Sequence, residues 1–201
     1  HADCEKAVQA GMALCRDCGH IVEEVPLALD VSIEHFTACV KVIIAAGTAS
    51  LLKMLGAARE QVEPVSWALY ETAQSIDGAD YVLALEQLQR SSRSIARWFT
   101  RHDVLMTLVV SEPPPRLGQF DPTPDNPLQG FETAERYVHL APLANVTGQP
   151  AMSVPLYWND DDLPVGVQFM GRFGDEATLF RLAAQLESVR PWAHRRPPVS
   201  A

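Results

Sequence analysis

The run Cys15-Arg16-Asp17-Cys18-Gly19-His20 brings two thiols and an imidazole into one short segment. With Cys4 it could nominally offer the four N or S ligands that tetrahedral zinc takes. A single Cys-x-x-Cys without a second pair falls short of a zinc knuckle, and Gly19 between Cys18 and His20 breaks the haem-attachment pattern. The thiols therefore read as small apolar side chains kept reduced, which implies a cytoplasmic setting and no metal. His139 could serve as a general base, but the sequence places no partner beside it. Asp161 and Asp162 are adjacent carboxylates with the composition of a solvated turn. Ser91-Ser92-Arg93-Ser94 carries three hydroxyls, yet Arg93 cannot take a proton from a nucleophile. These serines are expected on the polar face of a helix. The G-x-S-x-G elbow, the Walker loop and the G-x-G-x-x-G fingerprint are all missing.

The elements that must position these groups follow from periodicity. Residues 3–18 read as a helix stopped by Gly19. Ile21 to Val25 reads as a short strand ended by Pro26. Val31 to Leu55 reads as a long helix capped by Asp30 or Ser32 and stopped at Gly56, apolar nearly all round and hence expected to be well buried. Pro64 suits the first turn of a helix over 65–76. Another helix is expected from Asp80 to His102. Asp103 to Val110 is a continuous apolar run, the pattern of a strand in a sheet interior. The prolines from Pro113 to Pro124 exclude regular structure there. A short helix is expected over 133–144, then strands over 151–154 and 165–170 separated by an acidic reversal, then a helix over 175–188. Helices alternating with a few short strands place the chain in the α/β class.

The 201 residues suffice for one domain with a sizeable core. The net charge of −9 gives no electrostatic reason to seek nucleic acid or anionic lipid. The most apolar stretch, Ala38 to Leu55, is interrupted by Lys41 and Lys53, so no membrane span is expected. The chain starts at His1 with no initiator Met, which suggests that this is not a natural start.

Several segments resemble the amidase signature family, and within it the bacterial branch that contains the cyclic-dimer hydrolases. Cys18-Gly19-His20-Ile21-Val22-Glu23 is similar to the family's LGHxVE entry. Asp80 to Gln89 and Arg93 to Asp103 resemble its long helix, and Glu112 to Gly118 its proline loop. Asn145-Val146-Thr147-Gly148-Gln149-Pro150-Ala151-Met152-Ser153-Val154-Pro155-Leu156, Leu163 to Glu187 and Pro191-Trp192 resemble its closing strand–strand–helix unit. Thr107-Leu108-Val109-Val110 departs from the family's usual Thr-Pro-Thr wording. That difference is expected to make the strand end more regular and to reshape the pocket nearby.

The resemblance implies a mixed β-sheet flanked by helices, with residues 1–201 as the C-terminal portion of a single amidase domain. It implies hydrolysis of a carboxamide or amide oligomer to acid and amine by a Ser–cis-Ser–Lys group. Nothing here resembles the Gly/Ser-rich loop carrying that group, so no catalytic residue is assigned and the chain alone is expected to be inactive. His139, Pro142, Asn145 and Cys39 are candidate substrate-binding residues. For Asn145 a structural role at a left-handed turn position competes with pocket lining, and for Cys39 core packing does. No cofactor is implied. The expected partners are a small amide substrate in the complete enzyme, and either an N-terminal amidase portion or a second copy of the chain. The alternatives are a non-catalytic binding or assembly module derived from an amidase, and a small metal or redox domain built on Cys15 and Cys18.

Overall fold

The computed structural model describes residues 1–27, 29–123, 125–138 and 140–197. In chain order the elements are α1 (Ala2–Asp17), α2 (Ile33–Leu55), a single 3-10 turn (Arg59–Gln61), α3 (Pro64–Ala73), α4 (Gly78–Trp98), β1 (Val104–Leu108), α5 (Gln129–Val138), α6 (Pro142–Thr147), β2 (Ala151–Trp158), β3 (Pro164–Gly171) and α7 (Glu176–Val189). They fall into two compact units.

The first unit comprises His1–Pro26, Phe99–Pro114 and His139–Ala201. Its sheet has the order β1-β3-β2, with both pairs antiparallel. Strand β3 is central, and its Val165, Val167, Phe169 and Met170 are buried. One sheet face, with Val154, Leu156, Val165, Val167 and Phe169, packs into a core with Cys4, Ala7, Leu14 and Cys15 of α1 and Leu179, Leu182 and Leu186 of α7. Helix α1 can lie this close because Gly11 faces the sheet. A Cβ there would stand 3.3 Å from Met106 Sδ and 3.4 Å from a Val167 methyl. Each fully buried Leu, Val or Phe in this core is worth about 1.5–3 kcal/mol relative to exposure.

Local signals set the ends of these elements. The β2–β3 reversal is organised by Asn159, whose Oδ1 accepts from the backbone N–H groups of Asp161 and Leu163. Asp162 takes the left-handed position at φ 56° and its carboxylate accepts from Arg195 at 3.2 Å. Helix α7 starts at Asp175, whose side chain accepts from Thr178 N–H and Oγ1. Those bonds hold the Asp175 carboxyl below the usual range.

The second unit comprises Leu27–Trp98 and Pro115–Val138. Helix α2 is capped by Ser32, whose Oγ accepts from His35 N–H, and ends at left-handed Gly56. It packs against α3 and α4. Lys41 on α2 meets Glu135 on α5 at 2.7 Å. At the start of α5, Gly130 lies against the Phe120 carbonyl so closely that a Cβ would overlap it.

Several elements differ from expectation. Ile21 to Val25 forms no strand; Ile21 is 91% exposed, and the sheet of the described residues offers it no neighbouring strand. The helix expected over 133–144 is two helices, α5 and α6, divided ahead of Pro142. Helix α2 buries only Phe36, Cys39, Ala45, Ala49 and Leu52 and leaves Ile44, Leu51, Met54 and Leu55 exposed. By length and composition alone it could cross a membrane, despite Lys41 and Lys53. Ser91 is not on a polar face: it is fully buried, and its Oγ donates to Asp30 Oδ1 at 2.7 Å. Strand β1, read as an interior strand, is an edge strand here and is half-buried throughout.

Candidate functional site

The segment from Pro142 to Leu156 is α6, the three-residue connection Gly148-Gln149-Pro150 and most of β2. Pro142 fits the first turn of α6, where a missing N–H costs nothing. Leu143 is the buried anchor of this short helix. Thr147 Oγ1 donates back to the Leu143 carbonyl at 2.8 Å. Gly148 then takes the left-handed conformation at φ 69°, and its N–H donates to Ala144 O. A side chain would be strained there and would crowd Phe173, whose ring lies 3.3 Å from the Cβ position.

Gln149 ties this turn to the sheet. Its Nε2 donates to the Gly171 carbonyl at 2.9 Å, and its backbone N–H points to Thr147 Oγ1. Its Oε1 is buried with no hydrogen-bond partner among the described residues. A second polar link crosses the sheet in one row of the register, Thr107–Gln168–Ser153. Gln168, itself buried, donates to Thr107 Oγ1 at 3.2 Å. Arg172 closes the end of β3 by donating to the Phe99 carbonyl at 3.0 Å and to the Asp103 carboxylate at 2.6 Å.

Of the candidate substrate-binding residues, Pro142 and Asn145 share α6 in the first unit. Asn145 is exposed and lies inside the helix, so the left-handed turn expected of it belongs to Gly148 instead. Cys39 belongs to the second unit, buried on α2 with its Sγ 3.8 Å from His35 Nε2, and burial pushes its thiol up. His139 lies outside the described residues. Gln149, Gln168 and Arg172 were not singled out from sequence. The available signal was the lone polar Gln168 in the otherwise apolar β3 run.

The other sets of reactive residues do not assemble. Cys15 lies in α1 and Cys18 caps its end, while His20 Nε2 hydrogen-bonds Gln185 Oε1 at 2.7 Å. Burial, and then the neighbouring Cys18, push the Cys15 thiol up to about 11. Among the described residues no three His, Cys, Asp or Glu side chains converge to hold a metal ion. The three lysines are engaged elsewhere: Lys6 with Asp3 at 3.6 Å, Lys41 with Glu135, and Lys53 5.9 Å from the Tyr70 ring centre. The thiol–imidazole contact described above, Cys39 Sγ to His35 Nε2 at 3.8 Å, lies in the second unit.

Comparison with known proteins gives this geometry a context. The family profile for Amidase matches residues 1–180. A 6-aminohexanoate-cyclic-dimer hydrolase from Pseudomonas sp. (strain NK87) is 33% identical over 69% of this chain and 29% of its own length. The protein of the same name from Paenarthrobacter ureafaciens is 32% identical over the same shares. The solved structure of a 6-aminohexanoate cyclic dimer hydrolase complexed with substrate superposes with a TM-score of 0.88 at 26% identity, covering 98% of this chain and 43% of that one. The chain thus spans less than a third of these curated relatives and less than half of the solved one.

Proposed function

The chain belongs to the amidase family, and from that premise we propose that it is the scaffold and pocket-wall portion of an amide hydrolase. The hydrolysis would split a carboxamide, or a linear or cyclic amide oligomer, with one water to give a carboxylic acid and an amine. A Ser–cis-Ser–Lys group, acting by covalent catalysis, would lie in a portion outside these 201 residues. Residues 1–201 would then be the C-terminal portion of one amidase domain, working in the cytoplasm with its thiols reduced. His139, Pro142 and Asn145 in the first unit, and separately Cys39 in the second, are proposed substrate-binding residues.

One observation carries this reading. Nearly the whole chain takes the fold of less than half of a substrate-bound cyclic amide hydrolase, while its own lysines are spent on Asp3, Glu135 and Tyr70. The test is to incubate the purified chain with a chromogenic amide. No amine release above the buffer rate is expected, and turnover by the chain alone would contradict the assignment.

A second reading, a non-catalytic assembly module derived from an amidase, is favoured by the apolar surface of the second unit. There Leu51, Met54 and Leu55 of α2 and Val82 and Leu83 of α4 stand exposed. Under that reading no complementary portion would restore hydrolysis.

A further inference from the structure

Strand β2 forms one edge of the three-stranded sheet. Gly171 N–H donates to Pro150 O at 2.9 Å, which fixes the alternation of bonds between β2 and β3. Met152 and Val154 therefore aim their backbone groups at Phe169 and Val167, and Ala151, Ser153 and Pro155 aim theirs away from β3. A register shift falls between Pro155 and Tyr157. Beyond it, Asn159 N–H donates to Leu163 O, so Trp158 faces outward as well. The whole strand, Ala151-Met152-Ser153-Val154-Pro155-Leu156-Tyr157-Trp158, carries no charge. Uncharged edges of this kind invite a further strand.

After α7 the chain turns back onto the far half of this edge. The Arg190 guanidinium donates to the Leu156 carbonyl at 3.0 Å. The Arg195 guanidinium lies 4.2 Å from the centre of the Trp158 ring and donates to the Asp162 carboxylate at 3.2 Å. Between the two arginines, Trp192 packs against the core, and its carbonyl accepts from Arg195 N–H at 2.9 Å. The segment is held by side chains and is not itself a strand of the sheet. Its outer contact is a releasable one, because Arg195 and Asp162 are both exposed and such ion pairs are weak.

The near half of the edge is bare. Ala151 and Ser153 are exposed, and each offers an outward N–H and C=O. A second β2 strand, antiparallel and centred on Ser153, would match Ser153 with Ser153 and Ala151 with Pro155. In that register Ala151 N–H meets the Pro155 carbonyl, and the donor that proline lacks costs only its own bond. The partner's residues ahead of Ala151 would then run beside Leu156 and Trp158. That is the space where Arg190 and Arg195 sit.

We propose that residues 190–195 are a strap that guards the β2 edge, and that its release lets β2 pair with β2 of a second copy of this chain. The second copy follows from the edge itself: the same uncharged, self-complementary patch is presented by both partners of a two-fold pair. The strap and the edge both belong to the first unit, so the inference does not depend on a catalytic portion elsewhere.

The test compares the 201-residue chain with the double variant Arg190→Ala/Arg195→Ala, by light scattering and amide hydrogen exchange over a range of protein concentrations. The double variant should self-associate at least on the order of tenfold more tightly than the wild type. Exchange at Ala151 and Ser153 should slow in it by at least on the order of tenfold as concentration rises. Arg181→Ala, which removes a charge from α7 outside the strap, should behave as the wild type. Adding Ala151→Lys to the double variant places like charges along the paired edges and should return it to the wild-type association state. That rescue separates edge pairing from association of a chain that has merely lost its fold. A double variant that associates no more tightly than the wild type would overturn the strap. Association that leaves Ala151 and Ser153 unprotected, or that persists with Ala151→Lys, would overturn the β2 pairing.

Discussion

Gln149 Nε2 donates to the Gly171 carbonyl at 2.9 Å, while the Oε1 of the same side chain is buried without a partner. The bond fixes the α6 turn against the end of β3. Truncation in Gln149→Ala leaves the Gly171 carbonyl unpaired in a buried place. Stability should fall by about 1–3 kcal/mol, read as a lower urea midpoint with an unchanged slope. A midpoint unmoved by the substitution would show that the turn does not depend on this bond.

The pair Ser91–Asp30 predicts a pH effect. The Ser91 hydrogen bond holds the Asp30 carboxyl below its ordinary value. A lowered folded pKa gives stability that is present above the unfolded carboxylate value and is lost as pH falls through the folded one. Ser91→Ala should therefore cost about 1 kcal/mol at neutral pH, the exposure of Asp30 keeping the figure small. The gap between wild type and variant should close in acid, below the ordinary carboxylate range. Urea titrations across that range measure it, and a gap constant with pH would refute the link.

Gly130 predicts a steric effect. Any Cβ there overlaps the Phe120 carbonyl, which is backbone and cannot swing aside. Gly130→Ala should destabilise the second unit by roughly 1–3 kcal/mol despite the better helix propensity of Ala. A thermal scan showing stabilisation would mean that the segment around Phe120 yields freely.

Cys15 predicts a reactivity profile. Its folded-state thiol is pushed up to about 11, first by burial and then by Cys18. Alkylation of Cys15 in the native chain should be negligible at pH 8 and rise only toward pH ~11, since the thiolate is the nucleophile. By the same linkage, stability should be whole below the ordinary thiol value and decline as pH rises through the folded one. Peptide mapping after a timed iodoacetamide pulse reads the first effect. Rapid labelling of Cys15 at pH 8 would contradict it.

The parts of the fold legible in the sequence were those fixed by local chemistry. The stops at Gly19 and Gly56, the Ser32 cap and the Asn159 to Asp162 reversal all follow from residues acting on their own neighbours. What was not legible depended on distant partners. Ile21 to Val25 has strand composition but no strand beside it. Phe180 fits the apolar pattern of α7 yet is 75% exposed, because the core lies toward Leu179, Leu182 and Leu186. Ser91 is buried with its hydroxyl bonded to Asp30, 61 positions away, which no local pattern records. At the site, Pro142, Gly148 and Thr147 announce a turn, whereas the Gln149–Gly171 bond exists only once β2 and β3 have paired. The family itself was legible, and the Amidase profile over residues 1–180 bears that reading out.

Split-enzyme complementation tests whether a catalytic portion completes this chain. The 201-residue chain, the unmatched part of the Paenarthrobacter ureafaciens hydrolase and the two together are each assayed for release of amine from 6-aminohexanoate cyclic dimer. Hydrolysis is expected only when both are present. Hydrolysis by the chain alone, or a stable complex of both parts with no hydrolysis, would contradict it.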